Sequence, residues 1–161
     1  EIFLQAKEHD VNLTTLRDFL SKSPSLQLCD PSPSSWGQGG FHNYWLNESN
    51  AWIVLEWSKA GLTMVQLCEK IPKTDFELKL LNQAARELLL AQSSDWSFIL
   101  RSGTTTTLAK EKINRHLERF WKIAEHFKGK NKLTRSWFEK VNSEDSLFPL
   151  IDSNDWAPYK S

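Results

Sequence analysis

Little in this sequence offers redox, metal or long-range electrostatic chemistry. Cys29 and Cys68 are the only two cysteines in 161 residues. They lack the Cys-x-x-Cys spacing and the companion thiols of a disulfide framework or zinc site, so both are expected as free thiols of a reducing compartment. The histidines, His9, His42, His116 and His126, stand far from one another and from either cysteine, and neither a metal nor a cofactor is expected. His116 and His126 read as half-buried members of a helix. Excess charge is absent as well: 20 Lys plus Arg balance 20 Asp plus Glu, which removes the attraction that nucleic acid and anionic membrane faces exploit. The basic run from Arg115 to Arg135 is broken by Glu118 and Glu125 and reads as a solvated helix face, not an RNA-binding strip. No apolar run approaches the ~20 residues of a membrane span, and no signal-peptide pattern opens the chain. The expectation is a soluble, cytoplasmic protein with no nucleic-acid or membrane partner.

What the sequence does have is tryptophan, eight of them. Indole is amphipathic, rarely buried completely and enriched at binding surfaces. Two of the eight, Trp36 and Trp45, bracket the glycines of "PSSWGQGGFHNYW", Pro33 to Trp45, within a stretch from Pro24 to about Leu46 that has no helical period. Prolines at 31 and 33 and glycines at 37, 39 and 40 exclude a helix or strand there, and a loop of this length usually has a task. A phosphate cradle is not that task, because Phe41 and His42 stand where a Lys-Ser or Lys-Thr would open a helix. Trp36 and Trp45, with His42, Asn43 and Tyr44 between them, suit a sugar instead. A pyranose ring has an apolar face for an indole, and its hydroxyls reach sideways for polar groups, the usual composition of a small-ligand site.

Elsewhere the period is helical. Residues 1–23 read as helical pieces, with Thr14 or Thr15 capping "LRDFLSK" before Ser23-Pro24 stops it. Ile53, Trp57, Ala60, Met64, Leu67 and Ile71 form one stripe of a long helix from about Asn50 to Ile71. Thr74 and Glu77 form a capping box for the next helix, whose stripe is Leu78, Leu81, Ala85, Leu88 and Gln92. A short helix follows "SSDW" and ends at Gly103. A further helix with the seam Ile113, Leu117, Phe120, Ala124 and Phe127 ends near Gly129. A short helix around Thr134–Val141 and an irregular tail close the chain. Period-two alternation is nearly missing, so the fold class is all-α: a helical bundle with a long Gly/Pro-rich loop before the first long helix, residues 1–161 forming a single helical domain. Asp95, between Ser94 and Trp96 at a helix break, is marked as an N-terminal cap and as a site carboxylate. Nucleophilic catalysis has no support, since Ser35 and Ser94 lack a strand–turn–helix elbow and Cys29 lacks a base.

Three blocks, "PSSWGQGGFHNYWLNESNAW", "NQAARELLLAQSSDWSFIL" and "GTTTTLAKEKINRHLERF", resemble in sequence and order the C-terminal helical domain of glycoside hydrolase family 57, in particular its 1,4-α-glucan branching enzymes. The "LFPLID" tail is similar too, and the likeness runs from about Leu13 to Tyr159. The resemblance implies a domain that closes over a (β/α)7 barrel of the same protein. A Glu nucleophile and an Asp acid/base on that barrel would perform retaining chemistry on α-glucan of the glycogen or amylose type. It implies Trp36, Trp45 and Asp95 as substrate-groove residues, with Gly39, Gly40, His42 and Trp96 as secondary members. No barrel segment is present in this chain, so no catalytic residue is expected in it, and in isolation it is expected to be inactive. Gln38 stands where many relatives carry a charged residue. The sequence keeps open a family 57 α-amylase or 4-α-glucanotransferase domain and, in another class, a non-catalytic helical module docking a protein through its tryptophans.

Overall fold

The computed structural model describes residues 1–69, 72 and 74–158. Among these are seven α-helices and two 3-10 turns, which bears out the all-α expectation. The chain divides into two compact units, Glu1–Ser34 and Ser35–Ser161.

The first unit holds α1 (Ile2–Glu8) and α2 (Leu16–Lys22). The α2 cap is Thr15, whose Oγ1 accepts from the Asp18 amide at 3.1 Å, as the sequence suggested. Ala6 is the one buried residue of this unit, while Phe3, Leu4, Leu16, Phe19, Leu20 and Leu28 are exposed.

The second unit opens with a loop carrying the 3-10 turn Gln38–Gly40, then packs α3 (Ala51–Cys68), α4 (Asp75–Ala91), α5 (Ser94–Ser102), α6 (Thr106–Phe127) and α7 (Arg135–Glu144). A second 3-10 turn, Ser153–Trp156, lies against α3 and α4. The boundaries follow local chemistry. Thr74 accepts from the Glu77 amide and Thr134 from the Trp137 amide, each starting a helix with a hydroxyl cap. The α5 helix ends where Gly103 takes φ 78°. The helix α3 is described to Cys68 with Glu69 as its C-cap; its expected end at Ile71 lies outside the described residues, as does Tyr159.

The centre of this unit is α4, which packs against α3, α6 and α7. Its stripe residues Leu81, Ala85 and Leu88 are buried as expected, whereas Gln92 is half-buried and Leu78 is exposed. Gln83, Arg86 and Glu87 are buried too, although their polarity reads as an outer face. They are tolerated inside because each is bonded to a partner. Gln83 Nε2 donates to Glu87 Oε1 at 2.8 Å, and Glu87 Oε2 meets His116 Nδ1 of α6 at 2.7 Å. Arg86 donates to the Leu147 carbonyl at 2.6 Å and to Asn142 at 3.2 Å, which fastens the tail and α7 onto α4. Burial pulls the Arg86 guanidinium below its ordinary pKa, against the pull of Glu87 and Asp145. Arg119 pairs with both Asp145 and Glu144, so part of the basic run is spent on internal ion pairs. His116 is thus fully buried, more than its sequence context implies. His126 is half-buried, accepting at Nδ1 from the Leu133 amide at 3.1 Å.

Candidate functional site

The glycine loop is closed on itself by hydrogen bonds. The Ser35 amide donates to the Gly40 carbonyl at 2.7 Å, the Gly40 amide to the Gly37 carbonyl at 3.0 Å, and the His42 amide to Ser35 Oγ at 2.6 Å. Gly37 is required twice over. Its φ of 109° is in the left-handed region, and a Cβ there would stand 2.9 Å from Tyr44 Cδ2. Gly39 and Gly40 make the 3-10 turn at φ 75° and 71°, and His42, exposed, takes φ 63°.

Across this loop the aromatic rings gather. The Tyr44 ring stacks on Phe98 of α5, centroids 5.3 Å apart and planes 16° from parallel. The Trp36 ring leans on Tyr44, Trp45 and Phe98 with centroids at 5.9, 6.2 and 6.0 Å. Trp45 Nε1 donates to the Trp36 carbonyl at 3.1 Å, which ties one indole to the backbone of the other. Trp36 nevertheless remains 69% exposed. The other seven tryptophans are all half-buried, so the bundle absorbs most of the indole and leaves this ring out. A large apolar ring held by three aromatic neighbours and still open to solvent is a contact surface with few rotors left to freeze.

Asp95 lies exposed in the first turn of α5, three residues before Phe98, and the N-cap position expected of it is held by Ser93. The structure therefore brings Trp36, Trp45, Gly39, Gly40 and His42 together in one loop, and Asp95 stands on α5, the helix whose Phe98 joins the ring cluster. Trp96 points elsewhere. It packs against the core and donates from Nε1 to the Leu90 carbonyl at 2.8 Å, pinning α5 to the end of α4.

Two features of the site escaped the sequence. The first is Asn50, fully buried just before α3. An Asn in that place reads as a helix cap, yet its side chain turns back to the loop. Its Nδ2 donates to the Tyr44 carbonyl at 3.0 Å and the Ser97 carbonyl at 3.3 Å, and its Oδ1 accepts from the Asn47 amide at 2.8 Å. One amide thereby joins loop, α3 and α5. The second is a polar cavity of about 420 Å³ beside the loop, lined by Gln38, Asn43, Asn47, Glu48, Ser49 and Arg101. Its amides, carboxylate and guanidinium offer both donors and acceptors to a polyhydroxylated ligand. The density of amide and hydroxyl residues in "LNESN" was the available signal.

The sequence model of a family described as 1,4-alpha-glucan branching enzyme, C-terminal, matches residues 56–156, so its match begins within α3. A 1,4-alpha-glucan branching enzyme of Thermococcus kodakarensis is 30% identical over 120 residues, which is 73% of this chain and 18% of that protein. A GH57-type branching enzyme from the hyperthermophilic archaeon Pyrococcus horikoshii has a crystal structure similar at a TM-score of 0.86 and 26% identity, over 97% of this chain and 31% of its own. For a GH57 branching enzyme of Thermococcus kodakaraensis solved in complex with glucose and additives, the TM-score is 0.87 at 23% identity, over 97% of this chain and 29% of its own. The α-amylase AmyC from Thermotoga maritima is similar at 0.73 and 27% identity, over 94% and 28%. The chain spans less than a third of each of these proteins.

Proposed function

The chain belongs to the 1,4-alpha-glucan branching enzyme C-terminal family, of the glycoside hydrolase family 57 type, and from that premise we propose that it forms the substrate-groove part of an enzyme that makes α-1,6 branches in α-1,4-glucan. The observation that carries this reading is Trp36, exposed at 69% yet braced by Tyr44, Trp45 and Phe98. In the proposal this indole stacks on the apolar face of a glucosyl unit. Trp45 holds its backbone, and Asp95 accepts from a sugar hydroxyl. The polar cavity around Asn43, Asn47 and Arg101 orients a neighbouring unit of the chain. Gly39, Gly40 and His42 shape the loop, and Trp96 fixes α5 from behind.

The bond-breaking carboxylates belong, on this reading, to a barrel elsewhere in the same protein. Retaining chemistry requires two of them ~5–5.5 Å apart. The glucosyl-enzyme must meet a 6-hydroxyl before it meets water. A braced indole at the groove both excludes water and positions the acceptor chain. The exposed apolar residues of the first unit, among them Phe3, Leu4, Phe19 and Leu28, support a face that packs on another part of the protein. This chain alone would then neither branch nor hydrolyse amylose. A place in the synthesis of glycogen-type polymers in the cytoplasm follows from the same reading, and the free thiols of Cys29 and Cys68 agree with it. The α-amylase alternative is the less favoured, since AmyC is the least similar in fold of the three structures compared.

The test is product analysis with the intact protein on amylose. Debranching of the products should release new chains, and Trp36→Ala should lower kcat/KM about tenfold or more, the loss of ~1.4 kcal/mol of transition-state stabilisation. Shortened linear chains without α-1,6 linkages would assign hydrolysis or disproportionation instead.

A further inference from the structure

We propose that the cleft between α3 and α6 is a second binding site for an α-glucan chain, separate from the loop site; the inference rests on the glucan reading above. The cleft has a volume of about 580 Å³ and shares no lining residue with the ring cluster or the polar cavity beside the loop. Each helix contributes one indole. Trp52 and Glu56 lie one turn apart on α3. On α6, Asn114, Glu118, Trp121 and Glu125 follow at spacings of four, three and four, a single stripe beside the buried seam of Ile113, Leu117, Phe120 and Ala124.

The composition of that stripe is the argument. The core is already closed beneath it by Phe120, which is fully buried and meets Trp121 edge-on at 5.1 Å. Trp52 and Trp121 are half-buried: each packs one side against the core and also lines the cleft. Trp121 with Trp52 across from it gives an apolar surface flanked by hydrogen-bonding groups. The stripe from Asn114 to Glu125 runs roughly 16 Å along the helix, at 1.5 Å per residue, room for several linked sugar rings in a row.

Charge selects the ligand class. Glu56, Glu118 and Glu125 line the cleft; Glu56 is paired with Lys59 Nζ at 2.7 Å, and Lys122, the one cation of the lining, sits with Nζ 5.6 Å from the Trp137 ring centroid. The excess of carboxylates repels nucleic acid and phosphorylated ligands and accepts from neutral hydroxyl donors. Asn114 and Glu118 are exposed and have no hydrogen-bond partner among the described residues, so both are available to a sugar. At the far end Asn131 is held by Nδ2, which donates to the Lys122 carbonyl at 3.1 Å and Glu125 Oε2 at 3.3 Å. Its Oδ1 is buried and unpaired, an acceptor that a hydroxyl satisfies once the rim gives slightly.

A second site of this kind holds a polymer while the loop site works on one of its chains, so the two act by effective concentration. The experiment is affinity electrophoresis of the intact protein through amylopectin gels, run for wild type, Trp36→Ala, Trp52→Ala/Trp121→Ala, and Asn114→Ala/Glu118→Ala. The last pair removes only exposed side chains and keeps the test open if loss of both indoles unfolds the protein. Trp36→Ala should stay retained, whereas each cleft variant should raise the apparent dissociation constant for amylopectin about tenfold. Turnover of the cleft variants on short linear maltooligosaccharides should stay at the wild-type rate. Retention of both cleft variants at the wild-type level overturns the cleft and leaves the branching reading standing. A wild-type protein that no α-glucan retards and that turns none over overturns both.

Discussion

Replacing Asn50 by alanine should release the loop from the bundle. Three hydrogen bonds are lost at once: two from Nδ2, to the Tyr44 and Ser97 carbonyls, and one accepted from the Asn47 amide. The site is fully buried, so water does not replace them readily. Leaving buried polar groups unsatisfied costs about 1–3 kcal/mol each, and with partial rehydration of the Asn47 end a total of about 2–4 kcal/mol is expected. For a chain of this size that corresponds to a Tm lower by roughly 5–15 °C. Asn50→Asp should be no milder, since it keeps the acceptor for Asn47 but places a carboxylate against two carbonyl oxygens. The assay is thermal unfolding by circular dichroism, joined to amide exchange of residues 35–47. The local readout matters because the loop can detach before the bundle melts. A Tm within 2 °C of wild type together with unchanged exchange in the loop would refute the bracket.

The remaining predictions concern the loop, an ion pair and the thiols. Gly37→Ala should cost about 1–3 kcal/mol in backbone strain, and because its Cβ would stand 2.9 Å from Tyr44 Cδ2, it should also change the Trp fluorescence by shifting the ring under Trp36; an unchanged spectrum and Tm would contradict the packing described. The Arg119 hydrogen bond holds the Glu144 carboxyl below the ordinary glutamate pKa. Stability from that pair is therefore present above the ordinary glutamate range and lost as pH falls through the lowered value, so Glu144→Gln should flatten the acid limb of a Tm-against-pH curve and leave pH 7–9 nearly level. Burial, reinforced by Asp152, pushes the Cys68 thiol up to about 11. Ellman's reagent at pH 8 should thus titrate Cys29 in the native protein and reach Cys68 only after denaturant is added, whereas two fast thiols would contradict its protection.

Much of the bundle was legible because helices announce themselves locally. Thr15, Thr74 and Thr134 each precede a helical period, and each accepts from the amide three residues on. The apolar seam of α6 likewise predicts Ile113, Leu117, Phe120 and Ala124 as core. What stayed hidden depends on partners distant in the chain. Glu87 is buried because His116, 29 residues away, completes it. Arg86 is buried because carbonyls 61 and 62 residues on receive its guanidinium. Periodicity assigns such residues to solvent, since it has no access to the pairing that makes their burial tolerable. The loop is a separate case. Three glycines suggest looseness, but here they supply positive φ and clearance for Tyr44, so the segment is well bonded. Of the two tryptophans on irregular backbone that marked the candidate site, Trp36 is the one exposed indole of the eight and Trp45 is half-buried.

The central claim is that Trp36 meets a sugar. Acrylamide quenching of tryptophan fluorescence in the intact protein, with and without saturating maltoheptaose, isolates that ring as the difference between wild type and Trp36→Phe. Shielding by the sugar in wild type and none in Trp36→Phe is the predicted result. Equal quenching of the Trp36 component with bound and absent maltoheptaose would contradict it.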